Sequence, residues 1–273
     1  MDAGNMDALI LPVPPEPFAL IVGAAMRGRS SDALEAALRH MGLRPERVER
    51  DIADIAAPRF RLRFGAVSVL AGPAADAARD AADPDHPSTS LLAASLPRDW
   101  RQDGHCWMFL PEARDESAVA TGQLERMREF FKMMVLLIDL FDASHLFWSP
   151  ARLWSDASQF RASIAEMLAS GMPPVLHLVA FRRREGAGGA SMGTRGLALF
   201  AGQELEARIP DGWTVAEMVR RLSRLALDMM LNGPVRNERT MRGLESGEWI
   251  DLSPSPRGSG QRSTVVVEFG RDR

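Results

Sequence analysis

A helix delimited at both ends by its own sequence signals constrains this chain more than any other feature. Thr214 and Glu217 have the spacing of a capping box, and Asn232, Gly233 and Pro234 supply the stop. Between them Val215, Met218, Val219, Leu222, Leu225, Ala226, Met229 and Met230 recur at intervals that share one face. Arg220, Arg221 and Arg224 are expected to face outward or to flank that stripe. A helix with one apolar stripe must lie on another layer, and the flanking segments supply strands. His145 to Trp148 reads as a strand, Asp156 to Ser170 as a helix closed by Gly171 and Pro173, and Val175 to Arg182 as a strand. After a Gly-rich turn at Gly186 to Gly189, Thr194 to Arg208 reads as a strand or hairpin, and Ser263 to Phe269 as the last strand. The order is β-α-β-β-α-β, the split motif of ferredoxin-like folds.

The first half begins in the same way. Phe18 to Ala25 is a buried strand by its apolar run, and a helix capped at Ser31 or Asp32 carries Leu34, Leu38 and Met41. Phe60, Leu62 and Phe64 alternate with Arg59, Arg61 and Arg63, the period of a half-exposed strand, with Ala66 to Leu70 as its neighbour and His105 to Leu110 as a later strand. Leu124 to Phe141 is the longest helix candidate, apolar nearly all round in its second half. Pro73 to Arg101 turns to Ala, Asp, Pro and Ser and reads as a surface excursion. The expected fold class is α+β, with two ferredoxin-like halves, mostly antiparallel sheets and packed helices. The expected divisions are a proline-rich lead over 1–17, a first half over 18–142 with the excursion at 73–101, and a second half over 143–273.

Charge and cysteine content narrow the function classes. With 33 basic and 36 acidic residues the chain has no net-charge footprint for nucleic acid or a membrane surface. A lone cysteine, Cys106, excludes an internal disulfide and a multi-thiolate metal site. The N-terminal stretch carries acids where an export signal carries positive charge, and Met133 to Ile138, the longest apolar run, is far shorter than the roughly 20 residues of a membrane span. The chain reads as cytosolic.

The sharpest chemical motif is Gly23-Ala24-Ala25-Met26-Arg27-Gly28-Arg29-Ser30, which has the spacing of a phosphate-binding loop between a strand and a helix. Its departure is Arg29 where such loops carry lysine, because a guanidinium fork does not mimic a compact ammonium. Five histidines, His40, His86, His105, His145 and His177, are dispersed without metal-ligand spacing, so no metal and no cofactor is expected. Cys106 beside His105 cannot form a dyad on a strand, where neighbours point to opposite faces. Glu204 and Glu206 share one face of a strand, either as paired carboxylates or as an exposed acidic edge. The basic clusters are the ridge Arg59, Arg61, Arg63 and the run Arg182 to Arg184; neither carries the aromatic interleaving of a nucleic-acid stacking platform.

Thr194-Arg195-Gly196-Leu197, then Phe200, then Glu204-Leu205-Glu206 resembles the T-x-G-L, F-G-x-x-E-[LI]-E signature of an uncharacterised bacterial domain-of-unknown-function family. The resemblance extends over about residues 143 to 270. The family's glycine after phenylalanine is Ala201 here, with Gly202 one place later. Membership implies a bacterial fold, and no activity. The resulting expectation is a non-enzymatic interaction module of the immunity, adaptor or chaperone-like kind. It binds a protein partner or a second copy of itself through Arg59, Arg61 and Arg63 or through Glu204 and Glu206. The alternative is a phosphate- or nucleotide-handling enzyme that uses Gly23, Gly28, Arg29 and Ser30.

Overall fold

The computed structural model describes residues 18–23, 30–48, 60–65, 67–93, 95–102, 104–112, 123–186, 189–255 and 263–271. The chain is a mixed α+β protein that divides into two compact units between Met172 and Pro173.

The first unit contains β1 (Ala19–Gly23), α1 (Ser31–His40), β2 (Arg44–Arg47), β3 (Phe60–Phe64), β4 (Val67–Pro73), α2 (Asp76–Ala81), β5 (Ser90–Leu91), β6 (Cys106–Pro111), α3 (Gln123–Phe141), β7 (Ala143–Trp148), β8 (Leu153–Asp156) and α4 (Ala157–Ser170). Its eight strands form one sheet in the order β2-β3-β4-β6-β1-β7-β8-β5. β1 is buried along its whole length because β6 and β7 pair with it on both sides. Its unbroken apolar run is therefore the mark of a central strand.

The two faces of this sheet are covered differently. Opposed residues share a face, so Ile21, Trp107 and Leu146 lie together on the side where Trp107 packs on Phe141 of α3. On the same side Phe131 of α3 meets Trp148 and Phe160 of α4. Leu20, Val22, Cys106, Phe147 and Trp154 occupy the other face, buried with Ala74, Ala78, Ala82 and Trp100. The segment 73–101 is thus a cover on the core, which corrects the expectation of a surface excursion. Alanines let its backbone come close enough for the Trp154 indole to donate to the Ala82 carbonyl at 2.7 Å, while Trp100 stacks edge-on against Trp154 at 5.3 Å.

The division of the chain is also corrected. A boundary at 142 would cut α3 from β7, but β7 pairs with β1 through Leu20↔Phe147 and Val22↔His145, so β7, β8 and α4 complete the first sheet.

The second unit contains α5 (Val175–Leu178), β9 (Ala180–Gly186), β10 (Gly189–Arg195), α6 (Ala198–Ala201), β11 (Glu204–Arg208), α7 (Val215–Asn232), β12 (Arg239–Arg242), β13 (Glu248–Ser255) and β14 (Thr264–Arg271), with the sheet order β12-β13-β14-β11-β10-β9. Where a strand was expected from Val175, Pro174 instead caps the single turn α5 and the strand starts at Ala180. The expected hairpin over Thr194 to Arg208 is interrupted by α6, which Gly202 closes at φ 72°.

Both sheets are mixed rather than mostly antiparallel. β5 runs parallel to β8, and β11 runs parallel to β14 because α7 and the β12–β13 hairpin intervene between them in the chain.

The expected capping box of α7 is present, with the Thr214 hydroxyl accepting from the Glu217 amide and the Glu217 carboxylate accepting from the Thr214 amide. Met218, Leu222, Leu225, Ala226, Met229 and Met230 are buried, whereas Val215 is exposed. Leu222 is 0% exposed, so Leu222→Ala is expected to cost about 3 kcal/mol in urea-melt stability. Arg220 and Arg224 are exposed as expected, but Arg221 is not. Its guanidinium is 2% exposed, forks onto Glu248 at 2.5 and 3.0 Å, and lies 4.0 Å over the Trp213 ring. Glu248 is the first residue of β13, so this pair ties helix to sheet.

Candidate interaction surface

Alternation along the strands of the second unit sorts its residues onto two faces. Met192, Leu205, Ala207, Val265, Val267, Ile250 and Leu252 are buried on the face that carries α7. The opposite face is read off the register: Arg182, Gly193, Glu206, Val266 and Ser253 stand side by side across five strands, and Arg184, Ser191 and Arg208 form the neighbouring row. Arg184, Arg208, Val266 and Glu268 are exposed there. At Gly193 an added Cβ would sit 3.4 Å from the Leu205 carbonyl and 3.8 Å from the Arg184 guanidinium, so the missing side chain lets Arg184 lie across the sheet toward Glu206 at 3.9 Å.

The expected protein-contact residues are placed unevenly. Arg61 donates through Nε to both Glu112 oxygens at 2.9 and 3.0 Å, and Arg63 reaches Glu46 at 3.3 Å. The hydrogen bonds from Arg61 to Glu112 hold its guanidinium even more firmly protonated than usual. This ridge is therefore a face of cross-strand ion pairs, with its charge already spent; Arg59 lies outside the described residues.

Glu204 and Glu206 are not a pair of exposed acids. Glu204 is buried, and its carboxylate accepts from the Thr194 hydroxyl at 2.8 Å and from the amides of Gly196, Leu197 and Ala198 at 2.9, 3.3 and 3.1 Å. The Thr194 hydroxyl in turn accepts from the Leu205 amide at 2.7 Å. Thr194, Gly196, Leu197, Ala198, Glu204 and Leu205 thus form one hydrogen-bonded unit that fixes the turn between β10 and β11. Glu206 is half-buried beside Arg184.

The chemical candidates are dispersed. Gly23 ends β1 and the Ser30 hydroxyl caps α1 by accepting from the Ala33 amide, while Gly28 and Arg29 lie outside the described residues. His105 sits 3.4 Å from Asp99, and His145 faces Asp156 at 3.7 Å with its Nδ1 against the Ser144 hydroxyl at 2.9 Å. Among the described residues no group of three or more His, Cys, Asp and Glu could hold a metal ion, and no helix is long and apolar enough to cross a membrane. Cys106 is buried, and burial pushes its thiol up to about 12 against the opposing charge of Arg79. We expect it to resist alkylation in the native protein and to label fully only in denaturant, as read by mass spectrometry. A cavity of about 510 Å³ opens beside Gln203. The Gln203 amide there is engaged at both ends, donating to the Val235 carbonyl and accepting from the Val235 amide.

Compared with known protein families, curated proteins and solved structures, the chain matches none. Fold and surface define an α+β protein of two sheet-centred units, the second with a half-exposed face that bears Arg184 and Arg208.

In the sequence the Arg182 to Arg184 run is a basic cluster without the aromatic interleaving of a stacking platform. Its place at the rim of a half-exposed sheet face depends on register with Gly193 and Ser191, which no local pattern in the run reveals.

Proposed function

We propose that this protein is a non-enzymatic interaction module of the cytoplasm, of the immunity, adaptor or chaperone-like kind, and that a protein partner docks on the arginine-bearing end of the six-stranded sheet. The observation that carries this reading is the exposed end of that face at Arg184 and Arg208. Arg184 and Arg208 are exposed there together with Glu268, and Glu206 stands 3.9 Å from Arg184, so the Arg184 and Arg208 guanidinium groups can be reached by a partner. Exposed charge of one sign steers association and fixes orientation. Membership of the bacterial family with the T-x-G-L signature belongs to the same reading, supported by the way those residues act as one unit around Glu204. The ferredoxin-like description belongs to the same reading and is supported in the first half by the β-α-β-β succession of β1, α1, β2, β3; the strand and helix that begin the second succession, β7 and α4, lie in the first unit.

The test is affinity capture from the native host at low salt with wild type, Arg184→Glu and Arg61→Glu. The reading expects a protein recovered with wild type and Arg61→Glu but lost with Arg184→Glu, while all three melt within a few degrees of one another. Equal recovery by all three overturns it.

A further inference from the structure

Resting on that reading, we infer that the outer edge of β9 receives an extended acidic segment of the partner, which adds to the sheet as a further strand. β9 is the last strand of the order β12-β13-β14-β11-β10-β9 and is hydrogen-bonded to β10 alone among the described strands. Strand alternation therefore leaves a row of its amides and carbonyls directed away from the sheet. From Arg183 to Gly186 every residue of β9 is exposed, so this edge is open over the length a short strand needs.

Side chains on this edge select the charge of the occupant. Arg182 and Arg184 belong to one face, and on the opposite face Arg183 is paired with Glu185 at 2.6 Å, so the cation that a strand laid alongside meets is the exposed Arg184. Charged residues on an edge strand discourage pairing with apolar or like-charged chains; a chain of carboxylates meets the reverse condition. Burial, then the neighbouring charge of Arg184, holds the Arg182 guanidinium below the usual arginine range. A second copy of this chain is a poor occupant, because the symmetric antiparallel register that sets Arg183 against Glu185 also sets Arg184 against its own copy. A nucleic acid would satisfy the guanidinium groups but leave the ladder of amides unused.

The probe is a labelled heptapeptide of alternating glutamate and valine, titrated into the full-length protein at low salt and followed by fluorescence anisotropy. A second peptide of the same sequence, N-methylated throughout, keeps the charge and removes every ladder donor. The unmodified peptide is expected to bind, the N-methylated one at least about tenfold more weakly. Arg184→Glu is expected to weaken the unmodified peptide by a similar factor, and amide exchange over Arg183 to Gly186 to slow on its addition. Equal binding of both peptides overturns strand addition while leaving the arginine surface as a docking site. So does binding of neither peptide when Arg184→Glu still abolishes partner capture. Tighter binding of a single-stranded oligonucleotide than of the acidic peptide also overturns it.

Discussion

Arg221→Ala should lower the unfolding free energy by about 3 to 5 kcal/mol, read from urea melts of wild type and variant. The substitution leaves the Glu248 carboxylate, 0% exposed, without the fork that neutralises it, and strips the cation from the Trp213 ring. Room for rearrangement is small. An added Cβ at Gly243 would already lie 2.4 Å from the Glu248 Cγ, so the carboxylate is wedged between that backbone and Arg221. Replacing both partners by apolar residues, Arg221→Met with Glu248→Leu, should recover much of the loss, because no uncompensated charge then stays inside. If Arg221→Ala melts like wild type, the ion pair is not the tie between helix and sheet.

The same pair sets an acid limit. Burial pushes the Glu248 carboxyl up, but the hydrogen bonds and charge of Arg221 and the Glu245 amide outweigh it and leave the group below its ordinary value of 4.5. A depressed native pKa contributes stability that is complete above the unfolded value and is lost as pH falls through the native one. Stability should therefore decline below about pH 4.5, and Glu248→Gln, less stable at neutral pH, should show a shallower decline.

Glu204→Ala is the second large effect, expected at about 3 kcal/mol or more, since each buried donor left unpaired costs about 1 to 3 kcal/mol. The Thr194 hydroxyl and the Gly196 and Leu197 amides lose their acceptor in buried surroundings, while the Ala198 amide is nearer to solvent. Glu204→Gln keeps one accepting oxygen but turns an amide group toward donors, so it should fall between alanine and wild type. Glu206→Ala, on the half-exposed face two residues on, should melt within about 0.5 kcal/mol of wild type. Equal losses at 204 and 206 would show that the carboxylate at 204 does not hold the turn.

What could be read in advance depended on whether a signal was local. α7 declared itself because Thr214, Glu217 and Gly233 mark its ends within its own sequence. Phe60, Leu62 and Phe64 declared a strand by alternation, though the ion pairs that neutralise Arg61 and Arg63 come from Glu112, just past β6, and from Glu46 on β2. Arg221 was misplaced by its charge alone. It lies three residues after Met218 and four before Leu225, on the buried stripe, but its partner Glu248 is 27 positions away in a segment with no distinguishing pattern. Alanine-rich 73–101 failed for the opposite reason: small residues look like surface, and only the two tryptophans, Trp100 and Trp154, show what they are packed beneath. At the candidate surface, Glu204 could be seen as one of two acids on a strand face, yet that its carboxylate serves the backbone is a fact of three dimensions.

The position of β1 has a consequence for how the protein comes off the ribosome. Its two neighbours, β6 and β7, are made late, and the Phe18 amide finds its acceptor in the Ser149 hydroxyl, 131 positions further along. While the polypeptide grows, the hydrophobic run of Ala19 to Gly23 emerges early and stays without its sheet partners until most of the first unit has been synthesised. Local helices such as α1 can form in the meantime, but closure of the eight-stranded sheet waits for the largest loop in that unit. Synthesis that stalls before Trp148 would leave an exposed, aggregation-prone segment in the nascent chain.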